Sequence, residues 1–167
     1  MKTLMTVVML VSLLLATSTQ ACITGWIMGT PTEADNKDAE WRARLGLNME
    51  DKAKVGDFDV GVPEFGLQVD WIGRGDFSRY GIYGLLHLRT EDEAATWAGR
   101  PYIGYSVDLA VSGNEDKGSA YGPVVGTRYA QIFMFEYQYA TYAGKLDEVM
   151  DEGSDEHKLF VGLCLRY

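Results

Sequence analysis

The last eleven residues, His157 to Tyr167 (HKLFVGLCLRY), decide the fold. Counting back from Tyr167, every second residue is apolar: Leu165, Leu163, Val161 and Leu159. Arg166, Cys164, Gly162, Phe160 and Lys158 fill the positions between. A period of two belongs to a β-strand, whose successive side chains point to opposite faces. The length exceeds the roughly 5–6 residues of an ordinary soluble strand and suits one that crosses a membrane, about 9–11 residues.

The same two-faced pattern recurs upstream. Trp41, Ala43, Leu45, Leu47 and Met49 alternate with Arg42, Arg44, Gly46, Asn48 and Glu50. Phe65, Leu67, Val69 and Trp71 alternate with Glu64, Gly66, Gln68 and Asp70. Tyr80 to Arg89 alternates less cleanly, because Tyr83 and Leu85 share a face with His87 and Arg89. Ile103, Tyr105, Val107, Leu109 and Val111 oppose Tyr102, Gly104, Ser106, Asp108 and Ala110, and Phe133, Phe135, Tyr137 and Tyr139 oppose Met134, Glu136 and Gln138. With the terminal segment these are six strands, joined by Gly-, Asp-, Glu- and Asn-rich connections, as an antiparallel meander requires.

Alternation alone leaves open which face is inside. A soluble barrel turns its apolar set inward; a membrane barrel turns it out to lipid. Strand length, aromatics near strand ends (Trp41, Trp71, Tyr80, Tyr139, Tyr167) and the charged opposite face favour the second. The expected polar network inside the barrel is Arg42, Arg44, Glu64, Gln68, Asp70 and Asp108. A soluble, lipid-anchored barrel with a small apolar ligand is the alternative.

Phe160-Val161-Gly162-Leu163 through Arg166-Tyr167 resembles the terminal strand of small bacterial outer-membrane β-barrels of the OmpA/OmpX/Ail type. The resemblance implies an all-β, antiparallel, up-and-down transmembrane β-barrel of eight strands, with a periplasmic C-terminus. It also implies that the barrel-assembly machinery reads Val161, Leu163, Leu165 and Tyr167 as an assembly signal. Single-chain bacterial barrels have an even strand number, normally at least eight, so two strands remain to be found. Val55 to Val62 is one candidate, because apolar parity flips across Pro63 and Pro sits poorly in a central strand. Tyr121 to Tyr142 either hides a turn or is one projecting strand. In the second case Thr90 to Arg100 lies outside, and Gly73 to Arg79, with its Arg74-Gly75-Asp76 tripeptide, lies inside. Cys22 to Gly29 is a third candidate, although Pro31 to Lys37 reads as a flexible leader.

The N-terminus carries Lys2, an apolar run from Leu4 to Ala16, and the small polar stretch Thr17 to Ala21, the features of a secretory signal. The expected organisation is therefore a signal peptide over 1–21, a flexible leader over 22–38 and a barrel over 39–167, located in the outer membrane of a Gram-negative cell. Removing Lys2 with the signal takes the net charge from −9 to −10, a balance that argues against nucleic acid and against a surface that seeks anionic lipid. Cys22, in Thr19-Gln20-Ala21-Cys22, resembles the acylated cysteine of a bacterial lipoprotein. A Cys22–Cys164 disulfide and an unmodified thiol are the other readings.

Signals for catalysis are sparse. His87, Ser106 and Asp108 on neighbouring strands compose an acyl-transfer set of the kind a lipid A-modifying barrel would use. The bland reading, a polar filling of the interior, is preferred. The chain has no G-x-S-x-G or H-E-x-x-H motif, and no metal or cofactor is expected. The expected role is structural or surface-interacting and non-enzymatic. Its partners are outer-membrane lipid, the assembly machinery and an extracellular partner met by acidic loops such as Ala143 to Glu156.

Overall fold

The computed structural model describes residues 21–30, 40–49, 51–55, 57–72, 77–88, 99–112, 119–130, 132–143 and 155–166. They form nine strands, with no helix among the described residues: β1 (Ala21–Gly29), β2 (Glu40–Met49), β3 (Ala53–Val55), β4 (Phe58–Ile72), β5 (Phe77–His87), β6 (Arg100–Ser112), β7 (Ser119–Tyr129), β8 (Phe133–Ala143) and β9 (Asp155–Arg166). Eight of them close a barrel. Each pairs antiparallel with its neighbours in the order β1-β2-β4-β5-β6-β7-β8-β9, and β9 pairs back onto β1. The ninth, β3, forms a short hairpin with the first residues of β4.

The register fixes the barrel's dimensions. From Asp155 on β9 the cross-strand partners run Thr141, Tyr121, Val107, Ile82, Leu67, Leu45 and Gly25, and return to β9 at Leu165. The circuit arrives ten residues further along the same strand. Such a stagger in eight strands tilts them by about 40° and leaves an interior just wide enough for side chains to fill.

Which face fills it is unambiguous. Leu67 is 64% exposed, Leu109 66%, Leu45 60% and Ile27 60%, and Leu159, Leu163 and Leu165 share their side of the wall. Arg42, Arg44, Glu64, Gln68, Asp70 and Glu136 are all at most 3% exposed. Among the aromatics, Trp41 and Trp71 are cross-strand partners on the outer surface, with Tyr80 close by on β5. Tyr167 lies outside the described residues.

Two expectations are corrected, and the alternative left open for Tyr121 to Tyr142 is decided in favour of a hidden turn. The barrel starts at Ala21, not at residue 39: Cys22 to Gly29 lies in β1, between β2 and β9, rather than in a flexible leader. Residues 31–39 lie outside the described set, as do residues 1–20 of the expected signal. Val55 to Val62 is not a separate barrel strand, because β4 runs unbroken through Pro63. The β2–β4 pairing ends at Asn48 and Glu64, so the missing N–H of Pro63 falls where that ladder has already stopped. Parity flips because Gly61, at φ +143°, marks the barrel's rim, beyond which Phe58 and Val60 are both exposed. Finally, Tyr121 to Tyr142 is two strands. Tyr129 O accepts from Ile132 N at 3.2 Å, and Ala130 at φ 49° turns the chain. The β4–β5 connection therefore lies at the same end as the β8–β9 connection, and the β5–β6 connection lies at the end where β1 begins and β9 finishes.

The interior also constrains its glycines. A Cβ on Gly126 would sit 2.4 Å from the Tyr102 ring and 2.6 Å from Phe135 O. The ring is fully buried and its hydroxyl is committed to Glu136. Gly126→Ala is therefore expected to destabilise by about 1–3 kcal/mol, the range for overpacking. Gly84→Ala, where a Cβ meets nothing, should stay within about 0.5 kcal/mol. Urea unfolding of the two variants under identical conditions checks the contrast.

Candidate functional site: the charged interior

The inward positions of the strands bring twelve charged or titratable side chains into one column: Glu40, Arg42, Arg44, Glu64, Asp70, Arg79, His87, Arg100, Asp108, Arg128, Glu136 and Lys158. Unpaired, each would cost several kcal/mol in such a place. Through most of the column, acids and bases stand within reach of one another.

At the end where β2 begins, Arg79 Nη2 donates to Glu40 at 2.5 Å and lies 3.4 Å from Asp70, while its Nε is 3.1 Å from Asp108. Lys158 pairs with the other Glu40 oxygen. In the middle, Arg42 forks onto Asp70 at 2.8 and 2.9 Å. The same guanidinium donates to Glu136 at 2.8 Å and to Gln138 at 2.6 Å, and lies over the Phe160 ring at 4.2 Å. Arg44 donates twice to Glu136, at 2.5 and 3.0 Å, and to Gln68 at 3.1 Å. Tyr102 adds a third donor to Glu136 at 3.0 Å. Nearer the other end, Glu64 accepts from Thr24 (3.0 Å), Asn48 (2.7 Å) and Tyr83 (2.9 Å), with His87 Nε2 3.0 Å away. Arg100 and Arg128, directly opposite each other on β6 and β7, complete that end, and Arg128 Nη1 lies 3.6 Å from Cys164 Sγ.

All six residues expected inside are placed in this column. Asp108 joins it through Arg79 and the backbone N–H of Ala120, and Gln68 bridges toward Asp70 and Asp108 at 3.3 and 3.4 Å. Sequence reasoning did not single out Glu40, Thr24, Arg79, Arg100, Arg128, Glu136 or Lys158. Glu136 and Lys158 stood on recognised polar faces; the others lie at strand ends or in strands whose bounds were misread. Among the assembly residues, Val161, Leu163 and Leu165 are outward on β9.

The acyl-transfer set is not assembled. His87 lies opposite Tyr102, while Ser106 lies opposite Tyr83, four residues and about 13 Å along β6. Ser106 accepts from Gln138, Asp108 is held by Arg79, and His87 is engaged with Glu64 and packs against Tyr102 and Trp26. The Cys22–Cys164 bridge is excluded as well. Cys164 lies opposite Trp26, four residues from Cys22, far beyond the roughly 7 Å limit between bridged Cα atoms. Cys22, the second residue of β1, lies opposite Asn48, partly exposed at the barrel's end. Among the described residues no group of three or more His, Cys, Asp or Glu side chains could hold a metal ion.

What this column does chemically is fill space and cancel charge. Glu136→Ala would leave the Arg42 and Arg44 guanidiniums without their shared acceptor, and breaking a buried pair costs about 3–5 kcal/mol. Asp59→Ala, which removes the exposed Lys54–Asp59 pair at 3.9 Å, should change stability by less than about 1 kcal/mol. Equilibrium unfolding of both variants beside the parent chain measures the difference. Comparison of the chain with protein-family models, with curated proteins and with solved structures finds no match, so the reading of the site rests on its own residues.

Proposed function

We propose that this chain is a β-barrel of a Gram-negative outer membrane, exported through its N-terminal signal, with a structural or surface-interaction role and no enzymatic one. The observation that carries the reading is the inversion of the barrel: leucines outside, arginines and carboxylates inside. A soluble barrel that holds an apolar ligand puts its apolar set within; water outside would leave this exterior belt as a large apolar surface of the kind that aggregates. Strands of 11 residues tilted by about 40° rise roughly 28 Å, close to the apolar band of about 25 Å in such barrels. Trp41, Trp71 and Tyr80 suit one interfacial girdle. The barrel is of the OmpA/OmpX/Ail type in this reading, with the end shared by β1's start and β9's finish toward the periplasm. The connections 30–39, 73–76, 113–118 and 144–154 then face outward, and an extracellular partner would meet the acidic one that ends at β9. The packed column argues against a wide pore.

Membrane fractionation with a heat-modifiability gel shift tests the location. A chain that stays soluble, or whose mobility does not change on boiling, would sink the proposal. Facing is tested in vesicles, in a Cys22→Ser, Cys164→Ala background. Leu45→Cys, Leu67→Cys and Leu109→Cys should react with a lipid-soluble maleimide, while Gln68→Cys and Ser106→Cys should not. The reverse pattern is that of a soluble barrel.

The terminal strand gives a second test. Leu163→Arg puts a charge on the lipid face, at a cost of about 2–4 kcal/mol at mid-depth, and Leu165→Asp or deletion of Tyr167 removes part of the assembly signal. All three should lower the folded protein recovered from outer membranes several-fold. For the non-enzymatic reading, mass spectrometry of lipid A should be the same with the parent chain, with His87→Ala and with no protein. An acyl chain gained or lost in a His87-dependent way would favour the lipid A-modifying enzyme instead.

A further inference from the structure

The described part of the exterior belt has a hollow on β4 to β7. Along one register row Phe65, Gly84, Tyr105 and Pro123 follow each other across β4, β5, β6 and β7. Gly84 points outward, and a Cβ there would meet nothing within 4 Å. Its neighbours two residues away on β5 are Ile82 and Leu86. The hollow thus has a backbone floor and apolar walls on four sides: Phe65, Tyr105, Ile82 and Leu86. It extends past Ile103 to Val125 and has a cavity volume of about 670 Å³.

Its chemistry selects the occupant. No charged side chain reaches the hollow, since Glu64 on its border turns its carboxylate inward to Thr24, Asn48 and Tyr83. A polar or ionic ligand therefore has nothing to bind. A second copy of the chain fits poorly. A two-fold contact would set hollow against hollow and enclose a void, at a cost in lost packing. The walls also offer far less area than the roughly 800 Å² per partner of a stable interface. A flexible hydrocarbon chain can lie in the hollow along the strands and touch all four walls.

We infer that the hollow over Gly84 is the seat of one acyl chain of a membrane glycerophospholipid, a reading that rests on the membrane location proposed above. Gly84 is three residues from the end of β5 at the barrel end shared with β1's start and β9's finish. In the proposed orientation this is the periplasmic half, where the leaflet is made of glycerophospholipid. The protein gains a fixed lipid at a place where neighbouring wall residues leave a gap, and the lipid gains contacts with four apolar walls at once.

The test compares the full chain with Gly84→Ile, which fills the hollow, and with Gly25→Ile. Gly25 also has open space for a Cβ and lies on the outer face of β1, away from the hollow. Each is inserted into vesicles of phosphatidylethanolamine and phosphatidylglycerol, extracted in mild detergent and weighed by native mass spectrometry, and a heat-modifiability shift reports folding. One retained phospholipid on the parent and on Gly25→Ile, reduced at least tenfold on folded Gly84→Ile, is the expected result. Insertion with no retained lipid on the parent, or equal retention on all three, overturns the acyl-chain seat and leaves the membrane reading standing. A detergent-stable dimer lost in Gly84→Ile overturns it in favour of a second copy. Failure of the parent chain to insert overturns both.

Discussion

The Glu136 carboxylate is the acceptor around which the interior is organised. Arg42 and Arg44 reach it from β2 and Tyr102 from β6, while Glu136 itself stands on β8. Strands on opposite sides of the barrel are thereby fixed relative to one another through one side chain. Arg42 then passes the constraint to Asp70, and Arg79 carries it from Asp70 to Glu40 and Asp108. Removing any one member strands its partners in a low-dielectric interior, which is why such a network is held as a unit or not at all. The apolar core of an ordinary globular protein has its counterpart here in fragments packed between the charges: Trp26, Met28, Tyr83, Tyr102, Met134 and Phe160.

Closure is the second constraint, and the chain meets it where its sequence is least regular. Backbone N–H and C=O groups in a wall facing hydrocarbon must be satisfied within the wall. The prolines show how. Pro63 falls where the β4 ladder with β2 has ended. Pro123 sits in a two-residue interruption of the β7–β8 ladder, between the Tyr121–Thr141 and Val124–Gln138 pairs, while its pairing with Tyr105 on β6 is kept. The interruption costs no register, because the pairing resumes in phase. The outer wall therefore tolerates a missing donor without a slip that would turn leucines inward.

Much of the fold was legible because period-two alternation is a direct imprint of an inverted barrel on the sequence. Arg42 and Arg44 against Leu45 and Leu47, or Gln68 and Asp70 against Leu67 and Val69, leave little ambiguity once closure is assumed. The interior network was legible to the same extent, since the sign of each inward residue is visible. What failed did so for identifiable reasons. Strand β1 was read as leader because its inward residues include Trp26 and Met28, so both faces look apolar and the alternation vanishes. The turn after β7 was hidden because it is short and has no Gly or Pro: Ala130 adopts φ 49° there. The β3–β4 hairpin confused parity because it projects past the rim, where neither face is buried. The acyl-transfer set failed for a different reason. Adjacency of strands is readable, but the height at which His87 and Ser106 face each other depends on a register that alternation does not encode.

That distinction separates what the inversion supports from what it leaves to the loops. Charge inside and hydrocarbon outside is a statement about solvent: a chain so arranged is stable where the surroundings are apolar and strained where they are aqueous. It bears on the medium and does not identify a partner. One place where the described belt departs from a smooth cylinder is the bare floor at Gly84 between Phe65 and Tyr105. Adding a side chain there meets no steric resistance, so packing within the wall does not require glycine at that position. Gly126 and Gly46, by contrast, are forced by the Tyr102 and Tyr83 rings laid across them. Set among large apolar neighbours, Gly84 leaves a hollow that its own wall does not fill, and the proposed acyl-chain seat rests on that hollow.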